Sequence, residues 1–220
     1  MAVSRPTKSA ADFLPDSLDL EELARAASHC RGCDLYRRAT QTVFGEGRPT
    51  ARVVFVGEQP GDEEDRQGRP FVGPAGRLLD EILSEVGIDR EQVYVTNAVK
   101  HFKWEPRGTR RLHSKPSSRE MSACRPWLEA EFQAIEPACV VCLGATAAQS
   151  LLGRAFRITR DHGKFQSTEY AERVLATYHP SAILRAPDAD ARRRMRREFT
   201  ADLRKVARML VRPRRQRAAR

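Results

Sequence analysis

No stretch of this chain approaches the roughly 20 apolar residues needed to span a bilayer, and the opening MAVSRPTKSAADF holds no apolar leader. Membrane insertion and export are set aside on that ground, and a cytoplasmic protein with no membrane partner is expected. Cysteine is scarce: five residues in 220, which in a reducing compartment argues against a disulfide framework and for metal ligation or plain burial. No internal repeat is visible. Net charge is also missing from most of the chain. Of the formal +10, a net of +11 falls between Arg192 and Arg220, where thirteen Arg/Lys face two Asp/Glu, so the first 191 residues sum to about −1. That basic end reads either as a solvated helix with a frayed terminus or as a phosphate-contacting segment.

What is present is enough chain for one real core. Residues 1–16 are small, polar and proline-punctuated and read as a flexible arm; 17–211 read as the domain, and 212–220 as a basic tail. Asp16 or Ser17 caps a first helix running into Cys30. ARVVFVGEQPG, QVYVTNAVK, ACVVCLG and RVLATYHPSAIL each carry a buried-strand pattern, and amphipathic helical segments separate them. A long helix over DADARRRMRREFTADLRKVARML closes the chain. The alternation predicts a three-layer α/β/α fold around a central, mostly parallel, four-stranded sheet. Its polar clusters GEQPG, TNAVKH and HPS all fall at strand carboxyl ends, where such folds bind ligands.

CRGC sets Cys30 and Cys33 at a spacing that lets two thiolates share one metal centre. Partners must come from Cys124, Cys139, Cys142 or a histidine. Cys139 and Cys142 lie in a strand-patterned run and read as core; Cys124, near a helix start, is the better third ligand. The spacing leaves the fourth ligand open and favours zinc slightly over an iron–sulfur cluster.

The ordered set CxxC, GEQPG, GRPFVGPAG, TNAVK, the Ala123–Cys124 pair and HPS resembles the iron–sulfur uracil-DNA glycosylases of the family 4 type, from about Cys30 to Arg208. The resemblance implies a [4Fe-4S] cluster held by Cys30, Cys33, His101 and Cys124. His101 stands where the family has a cysteine, and a Cys₃His set has a raised potential relative to Cys₄. It implies that Phe71 stacks on a flipped uracil, that Asn97 reads its Watson–Crick edge, and that His179 supports the departing anion. Gly57, Gln59 and Gly61 shape the turn against the base, and Glu58 is the motif acid suited to act as a base. Ser181 and Arg185 are placed to meet phosphates.

Three departures from the ordinary family pattern, Gln59 in GEQPG, His101 after the strand and the longer interval RGTRRLHSKP, resemble the UdgX-type branch. That resemblance implies that His113 becomes covalently attached to DNA while Arg110 and Arg111 clamp phosphates; Thr109 departs from the lysine usual there. It further implies uracil-containing DNA, single strand preferred, as partner, a monomer, and a bacterial, nucleoid-associated location. A conventional glycosylase using water, and a non-enzymatic iron–sulfur nucleic-acid-binding protein, are the competing readings.

Overall fold

The computed structural model describes residues 9–211. Its central sheet has the order β1-β3-β2-β6-β8-β7. The four inner strands, β3 (Tyr94–Asn97), β2 (Val53–Gly57), β6 (Cys139–Leu143) and β8 (Val174–Thr177), run parallel. The sheet therefore has six strands rather than the expected four. The two extra ones, β1 (Glu46–Gly47) and β7 (Phe165–Gln166), are two-residue antiparallel edges too short to show a period in sequence.

Every residue of β2 and β6 is buried, because helices cover both faces and leave no solvated side to alternate with. Val53 and Phe55 point into one core cluster, with residues of α3 (Pro74–Glu85) and α8 (Ala189–Val211). Val54 and Val56 point into the other, with α4 (Ser118–Ile135) and α5 (Ala145–Leu152). Cys139 and Cys142 fall on opposite faces of β6, both fully buried.

A third cluster gathers Cys30, Cys124 and Trp127 with Leu23 and Ala27 of α1 (Leu20–Ala27). That first helix is capped by Asp19, which accepts from Glu21 N and Glu22 N, and it stops at Ala27. The cap is thus neither Asp16 nor Ser17, and Cys30 lies beyond the helix. The arm expected over 1–16 is packed at its inner end: Ala10–Phe13 form a 3₁₀ turn against α4, with Ala10 fully buried. The tail 212–220 lies outside the described residues. The longer interval that contains RGTRRLH folds as an antiparallel hairpin, β4 (Trp104–Arg107) and β5 (Arg110–His113). A two-residue turn with Gly108 at φ 59° joins them.

Candidate active site and its hairpin

Gly57 and Asn97 are direct partners at the carboxyl ends of β2 and β3, and Leu143 faces Thr177 across β6 and β8. The turns that follow these four ends enclose a cavity of about 490 Å³ lined by Glu58, Phe71, Asn97, His113, His179 and Arg185, among others. Glycine at position 57 makes the closeness possible, since a β-carbon there would overlap Asn97 Oδ1 and the Phe71 ring. Phe71 adopts φ 57°, a left-handed conformation that costs a side-chain-bearing residue about 1–2 kcal/mol. Its ring lies 6.2 Å from that of His179 with 27° between planes. Gly61 and Gly73 both donate their N–H to the buried Glu64 carboxylate, at 3.1 and 3.0 Å, which pins the GEQPG turn to the start of α3.

His179 caps the short helix α7 (Pro180–Leu184), accepting from Ser181 N at 3.1 Å on Nδ1. With Nδ1 an acceptor, the neutral ring carries its proton on Nε2. Burial, with the charges of Arg185 and His113, pushes the His179 pKa down to about 4. The ring is therefore a neutral donor at pH 7. Ser181 Oγ in turn takes a bond from Arg185 at 3.0 Å.

His113 enters on the hairpin, with its Nε2 3.4 Å from Glu58 Oε1. Burial and the Arg185 charge lower its pKa below the ordinary 6.5, and Glu58 opposes the shift. Strand alternation puts Arg111 on the same side of β5 as His113. Arg111 does not stand free as a phosphate clamp: it pairs with Asp62 at 2.5 Å and with the fully buried Asp65 at 2.6 Å. Its guanidinium also lies 5.5 Å from the ring centres of Phe102 and Trp104. Asp62 and Asp65 share one face of α2 (Asp62–Gln67), three residues apart.

Gln59 lines the cavity too, but its amide is taken up by the hairpin. Its Nε2 donates to Lys103 O and Ser114 O, and its Oε1 accepts from Lys103 N, all at 3.1 Å. It clamps the two ends of the hairpin. Arg110 remains exposed beside the turn.

A second cluster lies behind Asn97. Cys30 and Cys124 belong to the third core cluster, with Cys33 packed against it, and burial pushes the Cys124 thiol up to about 12. Cys124 sits in the second turn of α4, near the helix start as expected, and its Sγ accepts Lys100 N at 3.2 Å. One turn on, the buried Trp127 Nε1–H has no partner among the described residues. His101 Nε2 lies 2.9 Å from Thr42 Oγ1, whose hydroxyl proton goes to Ala27 O. Nε2 must therefore donate, which leaves the Nδ1 lone pair free. Burial lowers the His101 pKa to about 4, so this ring too is neutral. Between the two sites lies the fully buried pair Lys100–Glu131 at 2.6 Å. Lys100 Nζ also donates to Asn97 O at 2.9 Å, so the residue after TNAV braces the strand end that carries Asn97.

Residues 44–204 match the uracil DNA glycosylase superfamily. The chain belongs to that superfamily. Within it, the chain is 39% identical over 194 residues to the type-4 uracil-DNA glycosylase of Archaeoglobus fulgidus, covering 85% of this chain and 91% of that protein. It is 41% identical over 175 residues to the type-4 enzyme of Thermotoga maritima, covering 79% and 88%. It is 31% identical over 159 residues to the type-5 enzyme of Thermus thermophilus, covering 63% and 68%. The superfamily match spans the cavity, the hairpin and Cys124. Among the described residues no helix is long and apolar enough to cross a membrane, and no three His, Cys, Asp or Glu side chains are placed to hold a metal ion.

The sequence singled out every residue around the cavity named first, but it missed what holds them. Glu64, Asp62, Asp65 and Glu131 carry no motif, and Lys100 stood only as the last residue of TNAVK; the i, i+3 spacing of the two aspartates just after GEQPG was the other signal available.

Proposed function

We propose that this protein excises uracil from DNA and stays joined, through His113, to the abasic sugar it creates. The observation that carries the reading is the 3.4 Å approach of His113 Nε2 to Glu58 Oε1 at the edge of the cavity that holds Phe71, Asn97 and His179. The flipped base stacks on Phe71 and is read by the Asn97 amide, and the His179 Nε2–H donates to the uracil oxygen on which charge develops. The C1′–N1 bond breaks, and its electron pair leaves with uracil. The neutral His113 ring forms the new C1′–N bond with the lone pair of its unprotonated nitrogen, and the imidazolium so formed gives its N–H proton to Glu58. The proton then passes to the uracil anion, so the products are neutral uracil and an N-alkylated imidazole. Arg110 and Arg185 meet phosphates, whereas Arg111 and Gln59 hold the hairpin.

The fit to a [4Fe-4S] cluster rests on the second cluster of residues. The gathered thiols, the Lys100 N–H aimed at Cys124 Sγ, the unpartnered Trp127 N–H and the neutral His101 with a free Nδ1 suit an anionic sulfur-rich group. Cys30, Cys33, Cys124 and His101 would hold it, and it would supply a structural tie and a redox-active centre. DNA is the partner, with single strands preferred, and the protein acts as a monomer.

A second reading, supported by the type-4 relatives, has water held by Glu58 attack the sugar. The exposure of His113, 42% of its side chain, leaves room for solvent. The two readings separate on a denaturing gel after incubation with a uracil-containing single strand. A shifted band that vanishes in His113→Ala supports the adduct, whereas free abasic strand with repeated turnover supports water.

A further inference from the structure

Beside the uracil cavity runs a second groove, of about 380 Å³, within the size range of small-molecule sites. Lys115 and Thr146 line both spaces. Ala98, next in sequence to Asn97, forms part of its floor, together with Pro116, Leu128 and Leu151. The floor is apolar and the rim polar: Ser118 and Ser122 are exposed, as are Lys115 and Arg154. Neither of those two cations sits in an ion pair among the described residues. The other rim cation, Arg125, is held by Glu129 at 2.7 Å, which neutralises the one acid in the groove. A larger cavity, lined by Glu136, Glu169 and Glu172 among others, carries the wrong sign for a phosphate.

We propose that this groove seats the unpaired nucleotide adjoining the flipped uridine, its base on the apolar floor and its phosphate between Lys115 and Arg154. The inference rests on the glycosylase reading and adds to it a subsite for one neighbouring nucleotide. It gives a physical source for single-strand preference, because a base held in a groove is not paired to a complement. An aliphatic floor has no hydrogen-bond code, so the subsite accepts any base.

The test uses a single strand with one central uracil, and two versions in which the 5′ or the 3′ neighbour is a tetrahydrofuran residue lacking its base. The readout is the protein concentration that half-saturates single-turnover uracil release. For the unmodified protein, one of the two versions should require about tenfold more protein, the worth of one buried base face. Ser122→Trp fills the groove; it should need about tenfold more protein for the intact strand and be indifferent to base removal, with an unchanged rate at saturation. Arg154→Ala should lower the slope of log affinity against log salt by about 0.7, one single-strand phosphate contact; this surface change is independent of how the tryptophan packs. Indifference of the unmodified protein to base removal on both sides, or an unchanged salt slope in Arg154→Ala, would overturn the proposal. Absence of uracil release from every strand would instead overturn the glycosylase reading, and the groove with it.

Discussion

Replacing Arg111 by methionine separates base release from adduct formation. The substitution keeps the aliphatic bulk against Phe102 and Trp104 but removes both ion pairs. Asp62 is partly exposed, so its pair is screened by solvent and worth little. Asp65 is fully buried, and removing one partner of a buried pair costs about 3–5 kcal/mol. Asp65 keeps the bonds from Thr40 N at 2.9 and 3.1 Å, which places the loss at the low end, about 3 kcal/mol, or about 150-fold in the docked population of the hairpin. The three hydrogen bonds of Gln59, each worth about 1 kcal/mol net, still hold the hairpin ends. The rate of adduct formation should therefore fall by between about tenfold and 150-fold. Phe71, Asn97 and His179 are not on the hairpin, so uracil release should fall by less than about threefold. Both rates come from one rapid-quench series, with uracil measured by chromatography and adduct by denaturing gel. Equal losses in the two, or an undiminished adduct rate, would mean that Arg111 does not act by holding the hairpin.

Other outcomes follow from the same geometry. His113→Ser should abolish the adduct and leave a slower enzyme that turns over, measured as more than one uracil released per protein. The attacking ring must be unprotonated, so adduct formation should be lost only as pH falls through a His113 pKa that already lies below 6.5. Arg185→Gln removes a charge that lowers this pKa, and should move the acid limb of the pH profile to higher pH. Lys100→Met leaves Glu131 buried without its cation, and should cost about 3 kcal/mol of stability in a denaturant midpoint. Gly57→Ala should cut uracil release by more than about tenfold with little change in fold, because its β-carbon would displace Asn97 and Phe71.

The parallel run of the inner strands, though not their order, and the residues at their carboxyl ends were legible in the sequence. Strands such as VVFVG are continuous apolar runs, and the polar residues that interrupt them mark where each strand stops. The hairpin was not legible as structure. Pro106 lies inside β4, and its side chains are mostly exposed, so no alternation of buried and open positions marks a strand. For Gln59 and Arg111 residue type shows what a side chain could bind, not which partners within the fold it takes. Their partners, Lys103 O, Ser114 O and Asp65, lie 44, 55 and 46 residues away in sequence. Cys139 and Cys142 carried the opposite risk: their CxxC spacing suits a metal, yet strand geometry sends them to opposite faces of β6.

In the proposed reaction the imidazole at position 113 takes the place of water at the sugar carbon. Intact-mass spectrometry of protein incubated with a uracil-containing oligonucleotide tests it most directly. A new species should appear, heavier than the protein by the mass of the strand less one uracil, with no such species from His113→Ala. Complete uracil release with the protein mass unchanged would contradict it.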